Sequence, residues 1–159
     1  SGDNVLSGGA GGDTLTGNQG ADTFDFGARS NGTATTINGT ITETITGPGF
    51  SFDIVTDFVA GIDHVSLGEG YDLEAVQGVG VTIEEGVNFE LIGTAYDGTN
   101  ATSSRFAAGQ GTLILDSDGR LISDLNGSAA GYSVVADFQG GVPSAADFVN
   151  AEAALAVAA

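Results

Sequence analysis

The sequence predicts a mainly β chain. A short parallel β-roll opens it, an antiparallel β-sandwich-like domain packs on the roll, and a short helix closes it. Three observations carry this expectation. A nine-residue repeat rich in Gly and Asp occupies the first turns. Most of the following sequence alternates apolar and polar residues between clusters of Gly, Thr and Asn, the period-two signature of half-buried strands. Only residues 143–159 lose that alternation and become rich in Ala after a Ser start.

Residues 8–16 read Gly8-Gly9-Ala10-Gly11-Gly12-Asp13-Thr14-Leu15-Thr16. Residues 17–25 read Gly17-Asn18-Gln19-Gly20-Ala21-Asp22-Thr23-Phe24-Asp25. The shared pattern is GGxGxDxUx, with U a large apolar residue, and Asn18 replaces the second Gly of the later copy. One period upstream stand Gly2, Asn4 and Leu6, a third repeat cut by the start of the chain, with Asn4 in the Asp place. Gly permits a tight turn with positive φ and close backbone approach. Leu6, Leu15 and Phe24 belong to very short strands and point inward. Such strands stack in parallel, with their turns alternating between two edges. Asn4 and Asp22 therefore share one edge, and Asp13 takes the other.

This phasing bears on the charge. The chain of 159 residues carries 21 acidic and 3 basic side chains, a net charge of −18. Val, Ile, Leu and Phe make up about a quarter of it, above the ~20% below which high charge argues for disorder. A core is feasible, but the carboxylates repel one another and oppose compaction. A cationic partner or a hard divalent metal such as calcium would relieve them. Calcium takes six to eight oxygens at roughly 2.3–2.6 Å, and Asp carboxylates with turn carbonyls supply that chemistry. The candidate ligands in the repeats are Asn4, Gly9, Gly11, Asp13, Asn18, Gly20 and Asp22.

The composition also excludes function classes. No basic footprint exists for nucleic acid, and anionic membrane surfaces would repel the chain. The absence of Cys removes disulfides, thiolate metal sites and thiol nucleophiles. A phosphate loop of the Gly-Lys-Ser/Thr type fails because the chain has no Lys. The single histidine, His64, cannot build an HExxH zinc site, and no nucleophile elbow accompanies it. No catalytic residue is assigned.

Over residues 1–26 the repeats resemble the RTX, or hemolysin-type, calcium-binding family, whose nonapeptide signature is a known motif. The resemblance implies calcium as cofactor, folding on calcium binding, and secretion from a Gram-negative bacterium by type I export. The roll is too short to bury much core alone, since stacked repeats generally need three or more units. The array is therefore expected both to continue in an upstream part of the polypeptide and to cap a larger β domain.

Residues 40–46 read as a half-exposed strand. Residues 53–67 give two apolar strands, 52–59 and 62–67, around a turn at Ala60-Gly61. This segment is similar to the D-x-I-x-D-F-x-x-G-x-D-x-I-x-L stretch that follows the repeats in RTX proteins, including serralysin-type tails and alginate-epimerase modules. The resemblance implies that Asp57 and Asp63 close the last calcium site. The residues themselves equally suit turn caps made by Asx hydrogen bonds. Residues 71–77 suggest a short helix, 79–84 and 87–92 a hairpin around Glu85-Gly86, and 105–108 a turn.

Strands 112–116 and 120–125 flank a turn at Ser117-Asp118-Gly119, and a strand at 132–138 follows. Residues 121–131 are similar to a hairpin common near the C-termini of type I-secreted RTX proteins. Ser123, Asn126 and Ala129 depart from its pattern. Ser144 with Asp147 three residues on reads as an N-cap opening a helix.

The expected organisation is a roll over 1–27, a continuous β-rich domain over 28–142, and a helix with the type I export signal over 143–159. The partners implied are the type I secretion machinery and an upstream domain of the same polypeptide. A polysaccharide-binding module and a calcium-dependent surface-layer or adhesin assembly domain stand as alternatives.

Overall fold

The computed structural model describes residues 2–8, 12–26, 34–37, 40–43, 52–68, 71, 73, 82–129 and 131–149. Strands dominate them. The first three, β1 (Val5–Leu6), β2 (Thr14–Leu15) and β3 (Thr23–Asp25), are as short as the repeat demands. Each carries one inward apolar residue, and the Gly-rich turns leave room for no more. A separate antiparallel pair follows, β4 (Ala34–Ile37) with β5 (Thr40–Glu43). Then come β6 (Asp53–Val55), β7 (His64–Ser66) and β8 (Phe89–Leu91). One helical turn, α1 (Ser104–Ala107), precedes β9 (Thr112–Leu115), β10 (Arg120–Asp124) and β11 (Ser133–Phe138). A 3₁₀ turn at Ala145–Asp147 leads into β12 (Phe148–Val149).

The strands form two main sheets. One has the order β1-β3-β7-β12 and is parallel throughout. The other has the order β2-β6-β11-β10-β9-β8. In it β2, β6 and β11 run parallel, β9 and β10 turn antiparallel, and β8 is parallel to β9. Successive repeats alternate between the sheets. Val5 and Leu6 sit beside Thr23 and Phe24, while Thr14 and Leu15 pair with Ile54 and Val55 across the core.

The main core fills the space between the sheets. Phe24, Val55, Val65, Phe89, Leu113 and Leu121 are fully buried there. Phe58 is its hinge point, with ring centroids 5.9 Å from Phe24 and 5.3 Å from Phe138. The period-two alternation of β9, β10 and β11 sends Ile114, Ile122 and Val134 to the opposite face. There they meet Tyr96 and Phe106 in a second cluster. The six-stranded sheet is thus covered on both faces, which is why β9 is buried along its whole length.

Several expectations change. The larger sheet is mixed rather than antiparallel, because β6 and β8 join it through crossovers. Among the described residues of the hairpin expected from 79–84 and 87–92, β8 pairs with β9 instead, and the Glu84 carbonyl accepts the Val87, Asn88 and Phe89 amides to close a turn. Residues 74–81 lie outside the described set, as does most of the helix expected over 71–77; Tyr71 and Leu73 are buried. Among the described residues of the expected C-terminal helix, one 3₁₀ turn forms, at Ala145–Asp147. Its capping box forms, with Ser144 and Asp147 bonded reciprocally. Asp147 then also accepts the Gly61 amide, and Phe148 packs on Phe89 at 5.1 Å, so the chain extends along β7 instead. Residues 150–159 lie outside the described set.

Truncating Phe58 to Ala removes the aromatic link between the two sheets. Chemical denaturation in saturating calcium should show a loss of about 3–5 kcal/mol. The neighbouring Val59→Ala, at an exposed position, should stay within about 0.5 kcal/mol of the parent.

Candidate metal centre

Five strands of the parallel region, β1, β2, β3, β6 and β7, share the same triplet: a carboxylate or carboxamide, a variable residue, and an apolar residue. These are Asn4-Val5-Leu6, Asp13-Thr14-Leu15, Asp22-Thr23-Phe24, Asp53-Ile54-Val55 and Asp63-His64-Val65. The strand register stacks the first members. Asn4, Asp22 and Asp63 line one edge, and Asp13 and Asp53 line the other.

One hydrogen bond recurs along both edges. The Asn4 amide donates to Asp22 Oδ1 at 2.9 Å, the Asp22 amide to Asp63 Oδ1 at 2.9 Å, and the Asp13 amide to Asp53 Oδ1 at 3.0 Å. Each carboxylate thus holds the preceding coil in register with one oxygen. Charge-assisted bonds of this kind are stronger than neutral ones.

The second oxygens divide into two groups. Asp13 Oδ2 and Asp22 Oδ2 are buried and have no hydrogen-bond partner. Each lies against a glycine: a Cβ built on Gly8 would overlap Asp13 Oδ2, and one on Gly17 would overlap Asp22 Oδ2. A buried carboxylate oxygen without a donor is costly, more so than the ~1–3 kcal/mol of a neutral group. Asp63 and Asp57 differ. Asp63 Oδ2 accepts the Val59 amide at 2.7 Å. Asp57 gives Oδ1 to the Gly17 amide at 2.9 Å and Oδ2 to the Asn18 amide at 2.7 Å.

The other sequence candidates fall around these carboxylates. Asn4 turns its side-chain amide to Asp22 Oδ1 at 3.2 Å. Asn18 is exposed and left-handed, with φ of 70°. Gly20, at φ of 132°, lies against the Gly2 carbonyl, where a Cβ would meet it at 2.5 Å. Gly9 and Gly11 lie outside the described residues. The sequence reading passed over Asp53 and Asp3, although Asp3 accepts the Ala21 amide at 2.8 Å and so ties two coils together. Asp53 carried a usable signal, since Asp53-Ile54-Val55 repeats the triplet of Asp13-Thr14-Leu15.

Burial pushes the Asp53 carboxyl above its ordinary value; the Asp13 amide works against this and the Asp13 charge adds to it. Among the described residues no three carboxylate or imidazole side chains converge on one point. A hard cation here would take one or two carboxylate oxygens and complete its shell with turn carbonyls and water.

The C-terminal hairpin is different in kind. Asp116 accepts the amides of Asp118, Arg120 and Tyr96, and Arg120 pairs with it at 2.5 Å. Fully buried Asp124 accepts the Tyr96 hydroxyl at 2.6 Å and the Asn126 amide at 3.0 Å. Burial first, then that bond to Asp124, raises the Tyr96 hydroxyl well above the usual tyrosine range. These carboxylates cap turns and anchor Tyr96.

Residues 1–28 match the family model of the RTX calcium-binding nonapeptide repeat (four copies). Residues 1–28 are an RTX repeat. That family binds calcium. The RTX repeat accounts for the glycine cradles at Gly8 and Gly17, and the parallel stacking carries its register on into β6 and β7. Among curated proteins no match was found.

The raised Asp53 carboxyl has a definite sign. Its contribution to stability is present below the ordinary carboxylate value of 3.8 and is lost as pH rises through the raised folded value. In chelator, the thermal midpoint should therefore fall as pH rises from about 4 toward neutrality. Asp53→Asn keeps an acceptor for the Asp13 amide and should flatten that slope. An equal slope in parent and variant would assign the effect to other carboxylates.

Proposed function

We propose that this chain is a calcium-responsive folding module, the non-catalytic C-terminal region of a larger polypeptide secreted by type I export. The observation that carries the reading is the pair of buried, partnerless carboxylate oxygens on Asp13 and Asp22, each against a glycine within an RTX repeat. In a calcium-poor cytosol those oxygens and the net charge of −18 oppose closure of the coils, which suits passage of a loose chain through a channel. Calcium, when bound, supplies two positive charges to that edge. Asp22 then holds both its own ion and the Asn4 amide, and Asp13 holds its own ion while its amide stays on Asp53.

Extracellular calcium modules bind with Kd near ~10⁻⁴–10⁻³ M, which places the switch between cytosolic and external concentrations. An ion bound only by the folded state adds RT ln(1 + [L]/Kd) to stability. RTX repeats are typical of type I-secreted proteins, which supports an extracellular location. Under this reading the β1–β3 and β2–β6 pairs are turns of a short parallel roll. Residues 28–142 are the β domain it caps. The tail over 143–159, free of Lys and Arg, carries the export signal read by the secretion machinery.

Titrating calcium into chelated protein should raise both the far-UV circular dichroism strand signal and the thermal midpoint; a flat response in both would contradict the reading. Asp22→Ala should weaken calcium affinity beyond the roughly 10–100-fold typical of losing an outer-shell partner. Asp118→Ala, at an exposed turn, should leave it unchanged. Equal losses would indicate a diffuse response of the whole acidic chain.

A further inference from the structure

Asp57 stands apart from the other carboxylates of the parallel region. It precedes no strand, and it serves a turn thirty-nine and forty residues away in sequence. Both of its oxygens are committed to consecutive main-chain amides, those of Gly17 and Asn18. These two residues build the turn whose glycine cradles Asp22 Oδ2. Asn18 holds a left-handed φ of 70°, which is uncommon outside glycine. Two charge-assisted bonds offset that conformational cost.

The consequence follows from peptide geometry. The peptides here are trans, so N–H and C=O of one unit point in opposite directions. Turning the Gly17 and Asn18 amides toward Asp57 turns the Thr16 and Gly17 carbonyls away from it. Carbonyl oxygens of this turn are what a hard cation needs to complete a shell around Asp22 Oδ2. The same capture fixes Gly17 against Asp22, where any side chain would overlap the carboxylate.

We propose that Asp57 is a positioning residue for calcium: it binds no ion itself but orients the 16–18 backbone that presents oxygens to the ion at Asp22. This rests on the calcium reading above and departs from the ligand role that the family resemblance implies for Asp57. The two roles predict different outcomes. A ligand contributes an inner-sphere oxygen; a positioning residue contributes only shape and field.

The test is calorimetric titration of calcium into the parent chain, Asp57→Ala and Asp57→Asn. Terbium luminescence lifetimes in H₂O and D₂O then count the waters on the bound ion. The expected result is a roughly 10–100-fold loss of affinity in Asp57→Ala. The number of ions at saturation and the waters per ion should match the parent. Asp57→Asn, which keeps one acceptor oxygen, should fall between the two and decides the matter if the Ala variant stays unfolded at high calcium. One ion fewer, or additional water on the ion, would make Asp57 a ligand and overturn the proposal. Unchanged affinity would overturn it as well. A parent chain that binds no calcium would overturn the functional reading itself, and the parent titration separates that failure from the other two.

Discussion

The hydrogen bond from the main-chain amide of one coil to the carboxylate of the next organises the parallel half of the molecule. It joins Asn4 to Asp22, Asp22 to Asp63, and Asp13 to Asp53. Each bond consumes one carboxylate oxygen and fixes the register that puts Leu15, Phe24, Val55 and Val65 into one core. A slip by a single residue would send those side chains to solvent, because strand side chains alternate faces. The interaction that sets register is therefore the same one that concentrates negative charge on two edges.

Charge and packing pull in opposite directions as a result. Closing the coils brings Asp13 toward Asp53, and burial then raises the Asp53 carboxyl. It also buries Asp13 Oδ2 and Asp22 Oδ2 without donors. Under the proposed function, aspartate at these places weakens the metal-free fold and makes its closure depend on a cation. Elsewhere the chain meets buried carboxylates with its own donors: Arg120 and three amides at Asp116, and the Tyr96 hydroxyl at Asp124. The contrast separates carboxylates with a bare buried oxygen from those met by donors of the chain.

What the sequence made legible was local. The nine-residue period contains the strand phase, so the shared edge of Asn4 and Asp22 and the opposite place of Asp13 can be read from residues 2–25 alone. The turn at Ser117-Asp118-Gly119 was legible for another local reason, a cluster of turn-forming residues between two apolar runs. Longer-range relations were not. Asp53 lies beside Asp13 only because β6 returns to β2 forty residues later, and nothing in the period announces that. The alternation of 87–92 marks a strand but not its partner, and β8 lies beside β9. Ser144 and Asp147 form the expected cap, yet Gly61 and Phe89 compete for the residues that follow. The carboxylates of Asp57 and Asp63 fit both readings in sequence. Only the positions of the Gly17, Asn18, Asp22 and Val59 amides show what occupies their oxygens.

The central claim is that the two partnerless oxygens are where the ion sits. Anomalous scattering from crystals grown with calcium, or with a lanthanide in its place, tests it directly. The account predicts peaks at about 2.3–2.6 Å from Asp13 Oδ2 and Asp22 Oδ2. Peaks confined to the hairpin around Asp118 and Asp124, with both oxygens still bare, would contradict it.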